Sequence, residues 1–347
     1  MTTNAPARAE IDFDPATLRT FLASALPDGG GEPAIERIGG GQSNPTYFVD
    51  LGDRRMVLRK RPPGEHPRGA HDVGREYRII EALHPTPVPV PEPILYHEAP
   101  DVVGTPFYLM GRLDGHVFQD AALPEVPKEG RRAYYRELAR VLAALHAVDV
   151  DAVGLGGFRR PERFLVRQIN LWARQWGDLA ESDPDVARVV GWLRAHLPED
   201  ELSTIVHGDY KFTNVIFAAD RPALAGVFDW ELCTVGDPLV DLAHVWAFLW
   251  MTTLDEYGGI MGIDLDAEGI PTAEEFFGFY YEHVGDDRRL TPFHLVLALF
   301  RNAGIFHGIA QRALAGSANA GNAEEKGKLD RIYLGRALAV IDAQPGG

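Results

Sequence analysis

The feature that most limits the folds open to this chain is a change of hydrophobic period along it. Strand-like runs crowd into residues 34–113, whereas the chain after Pro127 repeats mostly with helical spacing. AIERIGGGQSNPTYFVDLGDRRMVLRKR reads as strand, glycine-rich turn, strand, tight turn at Gly52 and Asp53, and a third strand ending near Lys60. HDVGREYRIIEAL then carries 3.6-residue periodicity with Tyr77, Ile80 and Leu83 on one face. A Pro-rich stretch and two more strand-like runs, ILYHEA and TPFYLMGRL, follow. The expected product is a sheet of about five strands with one helix inserted after the third. A short helix started by Asp14 and Pro15 precedes it.

Beyond Pro127, RRAYYRELARVLAALHAV, PERFLVRQINLWARQWGDL and DPDVARVVGWLRAHL read as helices, the last started by Asp183 and Pro184. A short β-rich insert (STIVHGD, NVIFAA, LAGVFDW) separates them from the closing helices, where Thr272 and Glu275 have the spacing of a capping box. Strands and helices are segregated into blocks, so the class is α+β. We expect a small β-rich N-terminal lobe over 1–113 and a larger, mainly helical lobe over 114–347, and the length of 347 residues accommodates both.

Composition narrows the partners. With 50 acidic and 34 basic residues the formal charge is -16, and 46% apolar with 24% charged residues is the balance of a folded globular chain. That charge argues against a broad phosphate-neutralising surface, so no nucleic-acid partner is expected. Cys233 stands alone, which excludes an intrachain disulfide and a Cys-rich zinc site and fits a reducing compartment. MTTNAPARAEIDFDP lacks the apolar core of a signal peptide. The most apolar stretch noted, residues 239–251, is too short to span a bilayer and carries Asp241 and His244. The expectation is a cytoplasmic protein with no membrane partner.

The chemistry concentrates in HGDYKFTN (207–214) and FDWE (228–231). Phosphoryl transfer asks for an acceptor to orient the attacking hydroxyl, oxygen ligands for magnesium, and positive groups on the phosphates. Asp209 sits between strand and loop, where a carboxylate can accept from a substrate hydroxyl; Lys211, two residues on, can hold the γ-phosphate. The carbonyl oxygen of Asn214 and the carboxylate of Asp229 are suitable Mg²⁺ ligands. The turn GGGQSN (39–44) suits a phosphate cover, because glycine permits close backbone approach and Ser43 and Asn44 can hydrogen-bond.

These motifs, in this order, make the chain resemble the aminoglycoside phosphotransferase and choline kinase superfamily, which has a two-lobed protein-kinase-like fold. The resemblance implies ATP and Mg²⁺ as cofactors and a small-molecule hydroxyl acceptor. It makes Asp209 the catalytic base or orienting carboxylate and Asn214 and Asp229 the metal ligands. His207 and Gly208 would shape the loop, and Asp241 would brace it. Gly40, Gly41, Ser43 and Asn44 would belong to the nucleotide-positioning loop. In the third strand Arg59 matches the basic residue on the α- and β-phosphates, with Lys60 on the opposite face as the competing choice. Glu76 would pair with that basic residue. LMGRLDG (109–115) resembles the hinge, with the Gly111 carbonyl and the Leu113 amide meeting adenine.

GGGQSNPTYFV, VLRKRPPG, REYRIIEAL and HGDYKFTNVIF point within the superfamily to the branch of kinase-like domains associated with acyl-CoA dehydrogenases. That resemblance implies a hydroxyacyl or hydroxyacyl-CoA acceptor and functional association with an acyl-CoA dehydrogenase. An aminoglycoside-type O-phosphotransferase and a noncatalytic nucleotide-binding pseudokinase are the alternatives. A polycationic aminoglycoside wants a pocket crowded with carboxylates, yet the helix LVLALFRNAGIFHGIAQRAL carries Arg301, His307 and few acids. Arg301 and His307 are therefore the candidates for contact with an anionic substrate group.

Overall fold

The computed structural model describes residues 11–27, 29–39, 44–66, 71–285, 287–314 and 327–344. They divide into two compact units, one running to Gly115 and including Ala225–Glu231, the other formed by His116–Leu224 and Leu232 onward. Phe228, Asp229 and Glu231 of the FDWE segment thus belong with the first unit. A single cut near residue 114 does not anticipate this return of the chain.

In the first unit α1 (Pro15–Ala25) starts where the Asp14 side chain accepts from the Ala16 and Thr17 amides. Five antiparallel strands follow: β1 (Ala34–Arg37), β2 (Thr46–Leu51), β3 (Arg54–Lys60), β4 (Pro93–His97) and β5 (Phe107–Gly111), in the order β1-β2-β3-β5-β4. Gly52, at φ +59°, makes the two-residue turn between β2 and β3. The helix α2 (Val73–Leu83) is inserted after β3, its start capped by Asp72. Leu18 and Leu22 of α1 pack with Tyr47, Val49, Met56, Leu58, Phe107 and Leu109 on one sheet face. Alternation along β3 then sends Lys60 to that face and Arg59 to the other.

The second unit contains α3 (Lys128–His146), α4 (Phe164–Gln175), the short α5 (Leu179–Ser182) and α6 (Pro184–Ala195). The β-rich insert holds β6 (Thr204–Val206), β7 (Val215–Phe217), β8 (Leu224–Val227), which after Leu224 belongs to the first unit, and β9 (Thr234–Gly236); β6 and β9 pair antiparallel. Then come α7 (Leu239–Leu249), the single turns α8 (Leu254–Tyr257) and α9 (Leu265–Glu268), α10 (Ala273–Tyr281), α11 (Pro292–Leu314) and α12 (Leu329–Asp342). The capping box of Thr272 and Glu275 forms at the start of α10. Val296, Leu299, Phe300 and Ala303 of α11 pack against Tyr333, Leu334 and Ala337 of α12 and against residues of α4, α6 and α7.

Pro292–Arg312 is the helix among the described residues with the length and hydropathy of a membrane span, rather than the 239–251 stretch that stands out in sequence. Within it 78% is buried inside the protein, the setting of a core helix. Every residue of α7 is buried as well, so its two polar members, Asp241 and His244, must find partners inside.

Candidate active site

The loop after β6 turns at a glycine and is held by a buried carboxylate of α7. Gly208 adopts φ +86°, and a Cβ there would lie 2.7 Å from the Leu232 carbonyl oxygen, so the turn requires glycine. The Asp241 carboxylate accepts the His207 amide at 2.6 Å and the Gly208 amide at 2.9 Å. Burial would raise the Asp241 pKa, but hydrogen bonding and charge from His146, with these amides, hold it below the ordinary value. His146 Nε2 lies 3.3 Å from Asp241, and its Nδ1 lies 2.7 Å from the Tyr280 hydroxyl. Asp241 is thus the loop brace that the resemblance implied.

Asp209 follows, its amide donating to His207 Nδ1 at 3.1 Å. Both oxygens of its carboxylate are engaged. His244 Nε2 lies 3.0 Å from Oδ1; Asn214 Nδ2, at 2.8 Å, and Lys211 Nζ, at 2.9 Å, donate to Oδ2. Burial opposes the charge, but the His244 hydrogen bond and the charges of Lys211 and Arg301 outweigh it and hold the carboxyl far below the usual carboxylate range. Asp209 is an ionised acceptor in a fixed orientation. Asn214 Nδ2 also donates to the Asp209 carbonyl at 2.8 Å, which leaves the Asn214 side-chain oxygen as a hard donor suited to Mg²⁺.

In the first unit Arg59 Nε pairs with Glu76 Oε2 at 2.9 Å, and its Nη2 donates to Asp229 Oδ1 at 2.9 Å. Glu76 is buried, and Asn44 Nδ2 donates to it at 2.6 Å and the Tyr108 hydroxyl at 3.1 Å. Burial works against the Arg59 charge, but Glu76 and Asp229 overcome it and raise the guanidinium pKa further. The side-chain amide of Asn44, expected on the nucleotide, is therefore committed to Glu76. Asp229 stands at φ +65°, a left-handed conformation that Asp tolerates better than most residues and that often marks functional positions. Gly40, Gly41 and Ser43 lie outside the described residues.

Lys60 points the other way. It is buried, with Nζ 3.0 Å from Asp12 Oδ1 and 2.7 Å from the Val103 carbonyl. The choice between Arg59 and Lys60 is decided for the Glu76 pairing by the pleat of β3. At the expected hinge the Gly111 amide donates to the Glu92 carbonyl at 2.8 Å and the Arg112 amide to the Arg55 carbonyl at 2.9 Å. The Leu113 side chain fills the space beside Gly226, where an added Cβ would meet it at 2.1 Å.

A cavity of about 470 Å³ opens beside the Asp209 loop in the second unit, lined by Lys211, Phe248, Asp255, Glu256 and Tyr257 among others. Lys211 Nζ lies 5.0 Å from the centre of the Phe248 ring, and Tyr257 meets that ring edge-on at 5.6 Å. Glu256 is already engaged by Arg336 at 2.7 Å and by the Thr253 amide at 2.9 Å. The expectation that Arg301 and His307 meet substrate is corrected by their partners. Arg301 is buried with Nη2 on the Gly208 carbonyl; His307 Nδ1 lies 3.0 Å from Asp330, with its ring stacked 4.3 Å from Trp176. Sequence reasoning missed His244. The available signal was its place three residues after Asp241, on the same side of a helix otherwise apolar enough to be buried.

Among the described residues, no group of three or more His, Cys, Asp or Glu is arranged as a metal cage. Mg²⁺ with a phosphate substrate does not demand one, since one or two protein oxygens complete its shell with water and phosphate.

Comparison with known proteins identifies the family and the fold. Acyl-CoA dehydrogenase family member 10 of Mus musculus is 37% identical over 296 residues, covering 83% of this chain and 27% of that protein. Family member 11 of Gallus gallus is 36% identical over 343 residues, covering 95% of this chain and 44% of that protein. The chain therefore spans less than half the length of these relatives. A candidate aminoglycoside phosphotransferase of known crystal structure from Ralstonia eutropha JMP134 has a TM-score of 0.85 and 33% identity, covering 94% of this chain and 98% of that one. Aminoglycoside phosphotransferase APH(4)-Ia, solved as a thermostable mutant with AMP-PNP and hygromycin B, shares the fold at a TM-score of 0.61 and 18% identity, covering 95% of this chain and 99% of that one. The model of the APH family, described as a phosphotransferase enzyme family, matches residues 34–276. With that match over most of its length, and with the β-rich and helical units of a protein-kinase-like fold, the chain belongs to the APH phosphotransferase family.

Proposed function

We propose that this protein is an ATP- and Mg²⁺-dependent small-molecule kinase that transfers the γ-phosphate to a hydroxyl of a hydroxyacyl or hydroxyacyl-CoA acceptor. The observation that carries the reading is Asp209: an ionised carboxylate whose two oxygens are fixed by His244, Asn214 and Lys211. It accepts the acceptor's O–H and takes its proton as the oxygen bonds to the γ-phosphorus and the bond to the ADP oxygen breaks. Lys211 steadies the transferring phosphoryl group. Arg59, held by Glu76, takes the α- and β-phosphates, and the loop with Gly40, Gly41 and Ser43 covers them, while Asn44 holds Glu76. The Gly111 carbonyl and the Leu113 amide receive the adenine edge. Asn214 and Asp229 are the residues that would offer oxygens to Mg²⁺, which when bound would neutralise charge on the phosphates.

The cavity beside Lys211 favours an acceptor other than a polycation. Of its two acids, Glu256 is engaged by Arg336, which leaves Asp255 to meet a cation, while Phe248 and Tyr257 offer apolar surface. The pseudokinase alternative is weakened because a noncatalytic relative has no chemical need for Asp209, Asn214 and Asp229 together. The named relatives support a functional association with an acyl-CoA dehydrogenase.

The test is Mg²⁺-dependent ADP release over a panel of hydroxyacyl-CoAs, choline-like alcohols, sugars and aminoglycosides. We expect turnover with a hydroxyacyl-CoA, poor turnover with aminoglycosides, and a loss of at least about 100-fold in Asp209→Asn. Nucleotide binding without turnover on any acceptor would favour the noncatalytic alternative.

A further inference from the structure

The donor on Asp209 Oδ1 is not part of the HGDYKFTN loop. It comes from His244, in the middle of α7, a side chain with no exposure to solvent. We propose that His244 is a positioning residue for phosphoryl transfer, a buried imidazole whose Nε2–H fixes the orientation of the Asp209 carboxylate. The inference rests on the reading of Asp209 as the hydroxyl acceptor.

Three observations lead to it. An ionised carboxylate can only accept, so at 3.0 Å from Oδ1 the Nε2 atom must carry the proton. Nδ1 is buried and has no hydrogen-bond partner among the described residues, so a second proton there would be a buried donor with nothing to receive it. The ring is therefore neutral. Burial and the Arg301 charge agree, lowering the His244 pKa to about 4 against the pull of Asp209. Finally, the ring is pinned: Phe248, one helical turn later, packs edge-on at 4.5 Å, and Arg301 fixes the Gly208 carbonyl of the same loop.

The consequence follows from the division of labour on the carboxylate. Asn214 and Lys211 belong to the same HGDYKFTN segment as Asp209, and both act on Oδ2. His244 acts on Oδ1 from a helix buried on every face, so it ties the carboxylate's rotation to the rigid core of the second unit. Without it the carboxylate keeps its charge but loses a fixed direction, and misorientation of this kind slows chemistry more than it weakens binding.

The test compares two neutral amides in the full chain. In His244→Gln the amide nitrogen can reach the position of Nε2; in His244→Asn it falls short, near that of Nδ1. The reactions measured are ADP release from Mg-ATP with the best acceptor of the panel and with water alone, alongside thermal unfolding. His244→Asn is expected to lose about 10- to 100-fold in kcat with KM for ATP little changed, and His244→Gln to recover most of it. Histidine ¹⁵N–¹H correlation spectra supply the readout independent of turnover: His244 should appear as the neutral Nε2–H tautomer, with that proton shifted in Asp209→Asn. Equal kcat in His244→Asn and wild type, or losses in both amides that follow only the melting temperature, would overturn the positioning role while the kinase reading stood. An inactive wild type showing the expected tautomer would instead remove the kinase reading, and the positioning role with it.

Discussion

Arg59 and Lys60 are adjacent and both basic, yet the pleat gives them separate tasks. Arg59 joins Glu76 and Asp229, whereas Lys60 fastens the chain at Asp12 to the opposite face of the sheet. Arg59→Ala is accordingly expected to raise KM for ATP about 10-fold or more, as read by steady-state kinetics, and also to lower the melting temperature, because it leaves the buried Glu76 carboxylate without its cation. Lys60→Ala should leave KM unchanged and cost about 1–3 kcal/mol in denaturant unfolding, because it strips a buried ion pair of one partner while Asp12 stays partly exposed. Equal nucleotide defects in the two variants would mean that the sheet face does not sort them. Sequence could propose this pair but not choose between them, since a one-residue bulge exchanges the faces of a strand. The choice needed the register of β3 with β5, where Arg59 faces Tyr108 and Lys60 faces Phe107.

At the scale of elements, α7 organises the second unit's chemistry through its first turns. Asp241 takes two loop amides, His244 takes Asp209, and Asp237 just before the helix accepts the Leu239 amide at 2.9 Å. Burial pushes the Asp237 pKa up from 3.8 to about 6, against the Leu239 amide and the charge of Arg288. The folded value lies above the unfolded one, so this group's contribution to stability is fully present below pH 3.8 and is lost as pH rises through about 6. Asp237→Asn should flatten the unfolding free energy over that window and gain about 1–3 kcal/mol at pH 7, measured by urea unfolding at several pH values. An unchanged slope would contradict it. The elements themselves were largely legible: the five strands, the inserted α2 and the caps at Asp14, Asp183 and Thr272 follow from period and capping chemistry. The short β9 was not, because three residues carry too little periodicity to register. Nor was the fate of Arg301 and His307, since polar residues in an apolar helix reveal that they need partners but not which ones.

For the whole molecule, the net charge of -16 explains less than the placement of individual charges. The acid Glu256 in the cavity wall and the acid Glu76 of the first unit both serve as partners of arginines, and a net count treats them as free. The residues tied to catalysis by sequence likewise come from distant stretches: Arg59, Glu76 and Asp229 from the first unit, Asp209, Lys211 and Asn214 from the second. The HGDYKFTN and FDWE motifs were readable because the proposed phosphoryl transfer would fix their residue types, whereas the acceptor was not, because a small-molecule pocket asks only for shape and balance of charge. Phosphoryl transfer oriented by Asp209 is the proposed chemistry on which these roles depend. Its most direct measurement follows the γ-phosphate of ³²P-labelled ATP onto a hydroxyacyl-CoA in the presence of Mg²⁺. Labelled acceptor is expected to form in step with ADP for the wild type and almost none for Asp209→Asn; label transferred equally by both would contradict a role of Asp209 in the transfer.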